Sequence, residues 1–221
     1  MPSHEKTAAY NEQKLVKEGY VALKTGDPAP DFTTQDSKGQ PFSLKAASAQ
    51  GYVLLFFYPV NNTPNSARHL AALNKATAKL AENKIQAYAV NPGPREEGAA
   101  FLKQYGVQLR LLDDQSHKAA QLYGCAPAGS SLGQLALGDV MPQRTVVVVD
   151  PQGKVALYYR GFPAGQDAAA VILHELGLQG GAGQNGAAPS GSTPPESPAA
   201  TPGGPGGQQG SPQQSGTATG G

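Results

Sequence analysis

A single cysteine, Cys125, in 221 residues excludes an intramolecular disulfide and any cysteine-rich metal site, and leaves one thiol for redox chemistry. An excess of charge of one sign is also missing. Lys and Arg number 17 against 16 Asp and Glu, and no basic block occurs, which argues against a surface built for nucleic acid or anionic lipid. No run approaches the roughly 18 apolar residues of a membrane span. The first twenty residues carry Glu5, Lys6, Glu12, Lys14, Lys17 and Glu18 in place of the apolar core of a secretory signal, so the expectation is a cytoplasmic protein. His4, His117 and His174 show no ligand spacing with carboxylates or with Cys125, and are assigned to solvent or helix faces. Gly161 and Gly180-Gly181 match no phosphate-binding template, and no internal repeat is found. Neither a metal nor a cofactor is implied.

What is present divides the chain unevenly. Residues 180–221 hold 13 of the 28 Gly, 7 of the 19 Pro and one charge, Glu196, a composition that cannot bury a core. Three parts are expected: a helical extension over 1–25, a globular domain over 26–178 and a disordered Gly/Pro/Ser/Gln-rich tail over 179–221. A short amphipathic helix over His4 to Gly19 suits Tyr10, Leu15 and Val16 set among charges. Gly26-Asp27-Pro28-Ala29-Pro30-Asp31-Phe32 is extended and stiffened by proline. Strands around Phe32 to Thr34 and Phe42 to Leu44 form a hairpin across Asp36 to Gly39.

The continuous apolar run Tyr52 to Tyr58 reads as a strand covered on both faces. Asn65 to Asn83 spaces Leu70, Leu73, Ala76 and Leu80 at helical intervals, with Asn65 or Ser66 as the cap. Strand Ile85 to Val90, helix Arg95 to Tyr105, strand Val107 to Leu112 and helix His117 to Tyr123 follow. A long loop, Cys125 to Pro142, leads to a hairpin of Thr145 to Val149 and Lys154 to Arg160, and Gly165 to Leu176 closes as a helix. The fold class is α/β, a central mixed sheet flanked by helices.

In open α/β sheets reactive groups gather beyond the carboxyl ends of strands, where Tyr58 to Ser66 lies. Three groups of residues resemble the peroxiredoxins of the alkyl hydroperoxide reductase and thiol-specific antioxidant group, most closely the bacterioferritin-comigratory or Q type. They are Gly26 to Phe32; Phe57-Tyr58-Pro59 with Thr63-Pro64; and Arg144-Thr145 with Val149-Asp150 and Gly153-Lys154. The resemblance spans Gly26 to about Gly161 and implies a thioredoxin-like fold. Thioredoxin-type redoxins would instead place Cys-x-x-Cys over Thr63 to Ser66 and a cis-proline at Arg144. The family signature is Pro, three residues, Thr, two residues, Cys. It places a thiolate in the first helical turn, where backbone N–H groups and an arginine lower its pKa for attack on the peroxide O–O bond.

Carried onto this chain, the resemblance puts Pro59, Thr63 and Arg144 in matching positions and Ser66 at the peroxidatic position. Serine is not appreciably ionised near neutral pH and forms no sulfenic acid, so the substitution removes the chemistry itself. The resolving position of the Q type falls on Ala71, His69 stands where an acid or amide is usual, and Asn65 where Gly is usual. The resulting expectation is a domain of antioxidant oxidoreductase lineage without peroxidatic activity, acting as a binding or regulatory module with a protein partner or as a homodimer. A second reading is a one-cysteine thiol oxidoreductase using Cys125, the only case in which a thioredoxin-type reductant is needed. A third, weaker reading is hydrolysis by Ser66 with His69, for which no third member is identifiable. The plain assignments are a first-turn or capping role for Ser66, a structural or anion-binding role for Arg144, and a semi-buried bystander at Cys125.

Overall fold

The computed structural model describes residues 19–128, 143–163 and 167–178. The expected helix before Gly19, most of the loop 125–142 and the tail over 179–221 lie outside the described residues. Two sheets are formed among the described residues. Thr33–Gln35 (β1) and Pro41–Ser43 (β2) pair antiparallel in a small hairpin. The main sheet has the order β5-β4-β3-β6-β7, built from Tyr52–Phe57 (β3), Ile85–Asn91 (β4), Arg110–Asp113 (β5), Thr145–Val149 (β6) and Val155–Arg160 (β7). β3, β4 and β5 run parallel, whereas β6 and β7 are antiparallel to their neighbours, so the sheet is mixed.

Strand β3 is central because its residues are apolar on both faces of the pleat. Leu54, Phe56 and Tyr58 enter one core with Leu70, Leu73 and Leu80 of Pro64–Glu82 (α2), Phe101 and Leu102 of Arg95–Gln104 (α3), and Ile172 and Leu173 of Ala168–Glu175 (α5). Val53, Leu55 and Phe57 enter the other with Phe32, Phe42, Leu44 of Leu44–Ser48 (α1), Ala119 and Ala120 of Lys118–Leu122 (α4), and Tyr123. Helices therefore cover both faces, in the thioredoxin-like arrangement.

Several boundaries differ from expectation for local reasons. Leu44 opens α1 instead of ending a strand, because Ser43 accepts from the Ala46 N–H at 3.3 Å and caps the turn. β5 begins only at Arg110, opposite Tyr88. The preceding residues are held elsewhere: the Val107 N–H bonds Leu102 O at 2.9 Å and the Gln108 N–H bonds Asn74 Oδ1 at 2.8 Å. α5 begins at Ala168 because Asp167 accepts from the Ala169 and Ala170 N–H groups. The N-cap of α2 is Thr63, neither Asn65 nor Ser66, with Pro64 in the first turn where its missing N–H costs nothing.

The chain from Gly26 into the hairpin turn reaches both sides of the main sheet. Gly26 N–H donates to Val155 O at 2.8 Å, Val155 N–H to Asp27 O at 2.9 Å, and Ala29 N–H to Gly153 O at 2.9 Å, along the start of β7. At the opposite side Ser37 N–H donates to Leu111 O at 2.8 Å and Asp36 bridges Leu112 on β5. The buried Asp36 carboxylate also receives Arg110 Nε at 2.7 Å. Burial opposes its ionisation, but the Arg110 hydrogen bond and the Gln40 and Lys38 N–H groups hold its pKa below the ordinary value. Among the described residues no helix is long and apolar enough to cross a membrane.

Candidate functional site

The pairing Phe57↔Thr145 brings the residue before β6, Arg144, to the carboxyl end of β3, where the chain leaves through Pro59 toward α2. A buried polar chain holds that loop in place. Tyr58 OH donates to Asn61 Oδ1 at 2.9 Å and Asn61 Nδ2 to Asn91 Oδ1 at 3.1 Å. Asn91 Nδ2 returns to Tyr58 O at 2.9 Å, and Asn91 Oδ1 also accepts the Gly93 N–H at 2.9 Å. Asn61 and Asn91 were not singled out in the sequence, where only the doubled Asn61-Asn62 after a buried strand hints at a pinned turn. Asn91→Ala would leave buried donors and an acceptor unpaired, and is expected to lower unfolding free energy by about 2–4 kcal/mol in urea titrations.

At the helix start Thr63 Oγ1 accepts the Ser66 N–H at 3.2 Å, and its hydroxyl donates to Ser66 Oγ at 2.9 Å. Ser66 is the third residue of α2 and wholly buried. His69 follows one turn later, 7% exposed, with its ring stacked on Phe162 at 5.1 Å and edge-on to Phe56 at 6.4 Å. Arg144 and Arg68 lie near enough for their charges to act on it. Burial, then Arg144, then Arg68 lower the His69 pKa, and burial and Arg68 lower that of Arg144. Thr63 caps α2, Ser66 and His69 lie in its first two turns, Arg144 acts electrostatically on His69, and Arg68 is a cation that sequence reading missed. Its placement one turn after Asn65, to whose Oδ1 it donates at 3.2 Å, was the available signal. No hydrogen bond joins Ser66 to His69, and His69 Nδ1 has no partner among the described residues, so the hydrolytic pairing lacks both its base contact and its orienting group.

Residues 25–158 match the AhpC/TSA family. The chain belongs to that family. Its relatives include the chloroplastic peroxiredoxin Q of Sedum lineare, 26% identical over 140 residues, covering 63% of this chain and 70% of the relative. The chloroplastic peroxiredoxin Q of Arabidopsis thaliana is 29% identical over 140 residues, covering 63% of this chain and 61% of the relative. The crystal structure of peroxidoxin BcpB from Mycobacterium tuberculosis superposes with a TM-score of 0.58 at 26% identity, covering 71% of this chain and 96% of that one. The lineage is that of the peroxiredoxins of the Q and bacterioferritin-comigratory kind, which are antioxidant oxidoreductases, on a thioredoxin-like fold.

Other candidates from the sequence stand apart. Ala71 is half-buried and lines a surface groove of about 570 Å³ between α2 and α5, along with Arg68, Lys75 and Lys79. Cys125 is wholly buried, not semi-buried, because it packs with Tyr123, Ala126 and Val147 behind the sheet. Its Sγ–H donates to Tyr123 O at 3.6 Å. Burial pushes the thiol up to about 12, opposed by a Thr145 hydrogen bond and the Arg160 charge. Such a thiol is almost entirely protonated at neutral pH and is a poor nucleophile. His174 is exposed as expected, but His117 is not: it is 7% exposed and caps α4 with a left-handed φ of 55°. Among the described residues no cluster of His, Cys, Asp and Glu suits a metal ion.

Three buried groups give pH dependences of two opposite signs. Asp114 accepts the Ala119 and Ala120 N–H groups at 2.9 Å, yet burial raises its carboxyl from 3.8 to about 6 against those bonds. The folded state therefore holds this proton longer than the unfolded chain, and the group's contribution to stability falls by up to about 3 kcal/mol as pH rises from about 4 to about 6. His69 and His117 have lowered pKa values, burial being the first cause for each. The unfolded chain takes up their protons first, so their contribution is intact above about 6.5 and is lost as pH falls below it. In urea unfolding from pH 4 to 8, Asp114→Asn is expected to steepen the acid-side loss, and His69→Phe to reduce it.

Proposed function

We propose that the chain is a peroxiredoxin-family domain without peroxide-reducing catalysis, working as a binding or regulatory module. The observation that supports this most directly is Ser66. It occupies the position that the family resemblance assigns to the peroxidatic thiol, in the first turn of α2, with its hydroxyl bonded to Thr63. A hydroxyl there keeps the hydrogen-bonding role of the position but has neither the ionisation nor the oxidation ladder of a thiol. Ala71, at the Q-type resolving position, offers no second sulfur. The working domain is residues 26–178, with 1–25 and 179–221 as appendages, and it acts on a protein partner or as a homodimer. One buried thiol and no disulfide fit a reducing compartment such as the cytoplasm.

The test is consumption of hydrogen peroxide and of an organic hydroperoxide with excess dithiothreitol, comparing the full chain with Cys125→Ser and with free cysteine. The full chain is expected to be no faster than free cysteine. A rate orders of magnitude higher, abolished in Cys125→Ser, would replace this reading with the one-cysteine enzyme and its external thiol reductant.

A further inference from the structure

The groove of about 570 Å³ between α2 and α5 carries its positive charge along one wall. Lys75, Lys79 and Arg68 line it and are all exposed. Their places in the sequence put them within a stripe about 40° wide and about 16 Å long on α2, because an α-helix turns about 100° and rises about 1.5 Å per residue. The floor is small and apolar. Ala72 and Ala76 of α2 and Ala168 and Ala169 of α5 form it, the last three buried. Asp167 is the single acid among the described lining residues, and it is already engaged: it caps α5 by accepting the Ala169 N–H at 3.0 Å and the Ala170 N–H at 3.2 Å, and it meets Lys79 Nζ at 3.4 Å. Lys75 has no ion pair among the described residues. The residues that precede Asp167 in the sequence, Ala164, Gly165 and Gln166, are uncharged.

This lining narrows what the groove suits. Alanines offer no aromatic face for a nucleic-acid base and no polar groups to orient a small ligand. A recessed floor does not reach into a lipid surface, which needs large apolar side chains standing out from the protein. Small side chains do permit another helix to approach closely, to an axis separation of about 8 Å. A row of cations at helical spacing is matched by carboxylates at the same spacing on that second helix. We propose that the α2/α5 groove docks an acidic amphipathic helix of a partner protein, with its carboxylates against Lys75, Lys79 and Arg68 and its small residues on the alanine floor. A helix antiparallel to α2 presents Asp or Glu at i, i+4 and i+11, and a parallel one at i, i+7 and i+11. The proposal deepens the binding role given above and rests on it, since it names the partner's chemistry and the face it takes. Lys75 and Lys79 lie well along α2 from Ser66, so docking makes no use of that hydroxyl.

The experiment follows the fluorescence anisotropy of a labelled helical peptide of about 20 residues, rich in alanine and with glutamates at i, i+4 and i+11, titrated with the full chain. A peptide of the same composition with its glutamates dispersed around the helix, a single-stranded oligonucleotide and phosphatidylserine vesicles are run beside it. Saturable binding of the striped peptide below about 1 mM is expected, at least about fivefold tighter than that of the dispersed one. It should weaken as sodium chloride rises from about 50 to about 300 mM. Lys75→Ala should weaken it about threefold, the size of one exposed ion pair, and Lys75→Glu with Lys79→Glu at least about tenfold. Asp167→Asn, which keeps the α5 cap, should tighten binding by removing the acid from the groove. Lys103→Glu, an exposed charge change on α3, should leave it unchanged. Ala72→Leu fills the floor without altering charge and should weaken binding, and the exposed lysine variants decide the matter if it does not fold. No saturation, equal affinity for the dispersed peptide, indifference to the paired lysine reversal, or tighter binding of the oligonucleotide or vesicles would overturn the proposal. Peroxide turnover by the unaltered chain would defeat the preceding reading of Ser66, whereas these titrations read the groove alone.

Discussion

Ser66→Cys is expected to yield a thiol that hydrogen peroxide oxidises to sulfenic acid at least about ten times faster than free cysteine, and still far from a fully built site. The gain comes from position. Sulfur there would sit in the first turn of α2, within reach of the Thr63 hydroxyl that now bonds Ser66 Oγ at 2.9 Å, with Arg144 ahead of β6 at the carboxyl end of β3. The shortfall has two sources. Ser66 is wholly buried, which hinders the approach of peroxide and favours the neutral thiol, and Asn65 and His69 depart from the residues that the family places around its cysteine. A displacement of about 1 Å costs around a hundredfold. Adding Asn65→Gly should raise the rate again. Stopped-flow oxidation with sulfenic-acid trapping measures both variants. No reactivity above free cysteine would mean that Thr63 and Arg144 no longer frame a peroxide, and full activity from Ser66→Cys alone would mean that the neighbouring departures are harmless.

Gly124→Ala should be among the most damaging single changes in the domain. Gly124 has φ of +60°, and a Cβ at this position would overlap the backbone carbonyl oxygen of Val21. The residue also lies between Tyr123 and Cys125, both wholly buried, so the chain has little freedom to move aside. Left-handed strain of about 1–2 kcal/mol together with displacement of a backbone segment should cost roughly 3 kcal/mol or more. For a domain of this size the melting temperature should fall by at least about 6 °C. Gly106→Ala offers the contrast: φ is +62° there but nothing lies within 4 Å, so only the strain is expected. Equal losses in the two variants would mean that the Val21 overlap is relieved by local movement.

The elements that could be read from sequence are those whose signal is local. Tyr52 to Phe57 is apolar at every position, and Leu70, Leu73, Ala76 and Leu80 recur at helical spacing, so β3 and α2 were visible before any contact was known. The start of α2 was legible in principle as well, since proline in a first turn points to a cap at the preceding Thr63. Other features depend on distant partners. The Tyr58, Asn61 and Asn91 chain needs β3 and β4 side by side, and the burial of Cys125 needs Val147 and Tyr123 around it. His117 looked like a surface residue because its burial comes from the turn set by Asp114, not from periodicity. The site was legible as a set of positions. What was not legible is that the fold brings Arg144, just before β6, within electrostatic reach of Arg68 and His69 of α2.

The run from Gly26 to Ser37 touches the start of β7 and the outer side of β5. One short stretch of chain thus shields parts of both open borders of the sheet, the backbone groups through which sheets recruit foreign strands. Its prolines, Pro28 and Pro30, cannot themselves donate to a further strand, so the shield does not become a new template. Keeping the domain apart from its own copies during folding is then a task of this segment, independent of whatever the pocket binds. Damage to it would be felt first as self-association, well before any loss of ligand recognition.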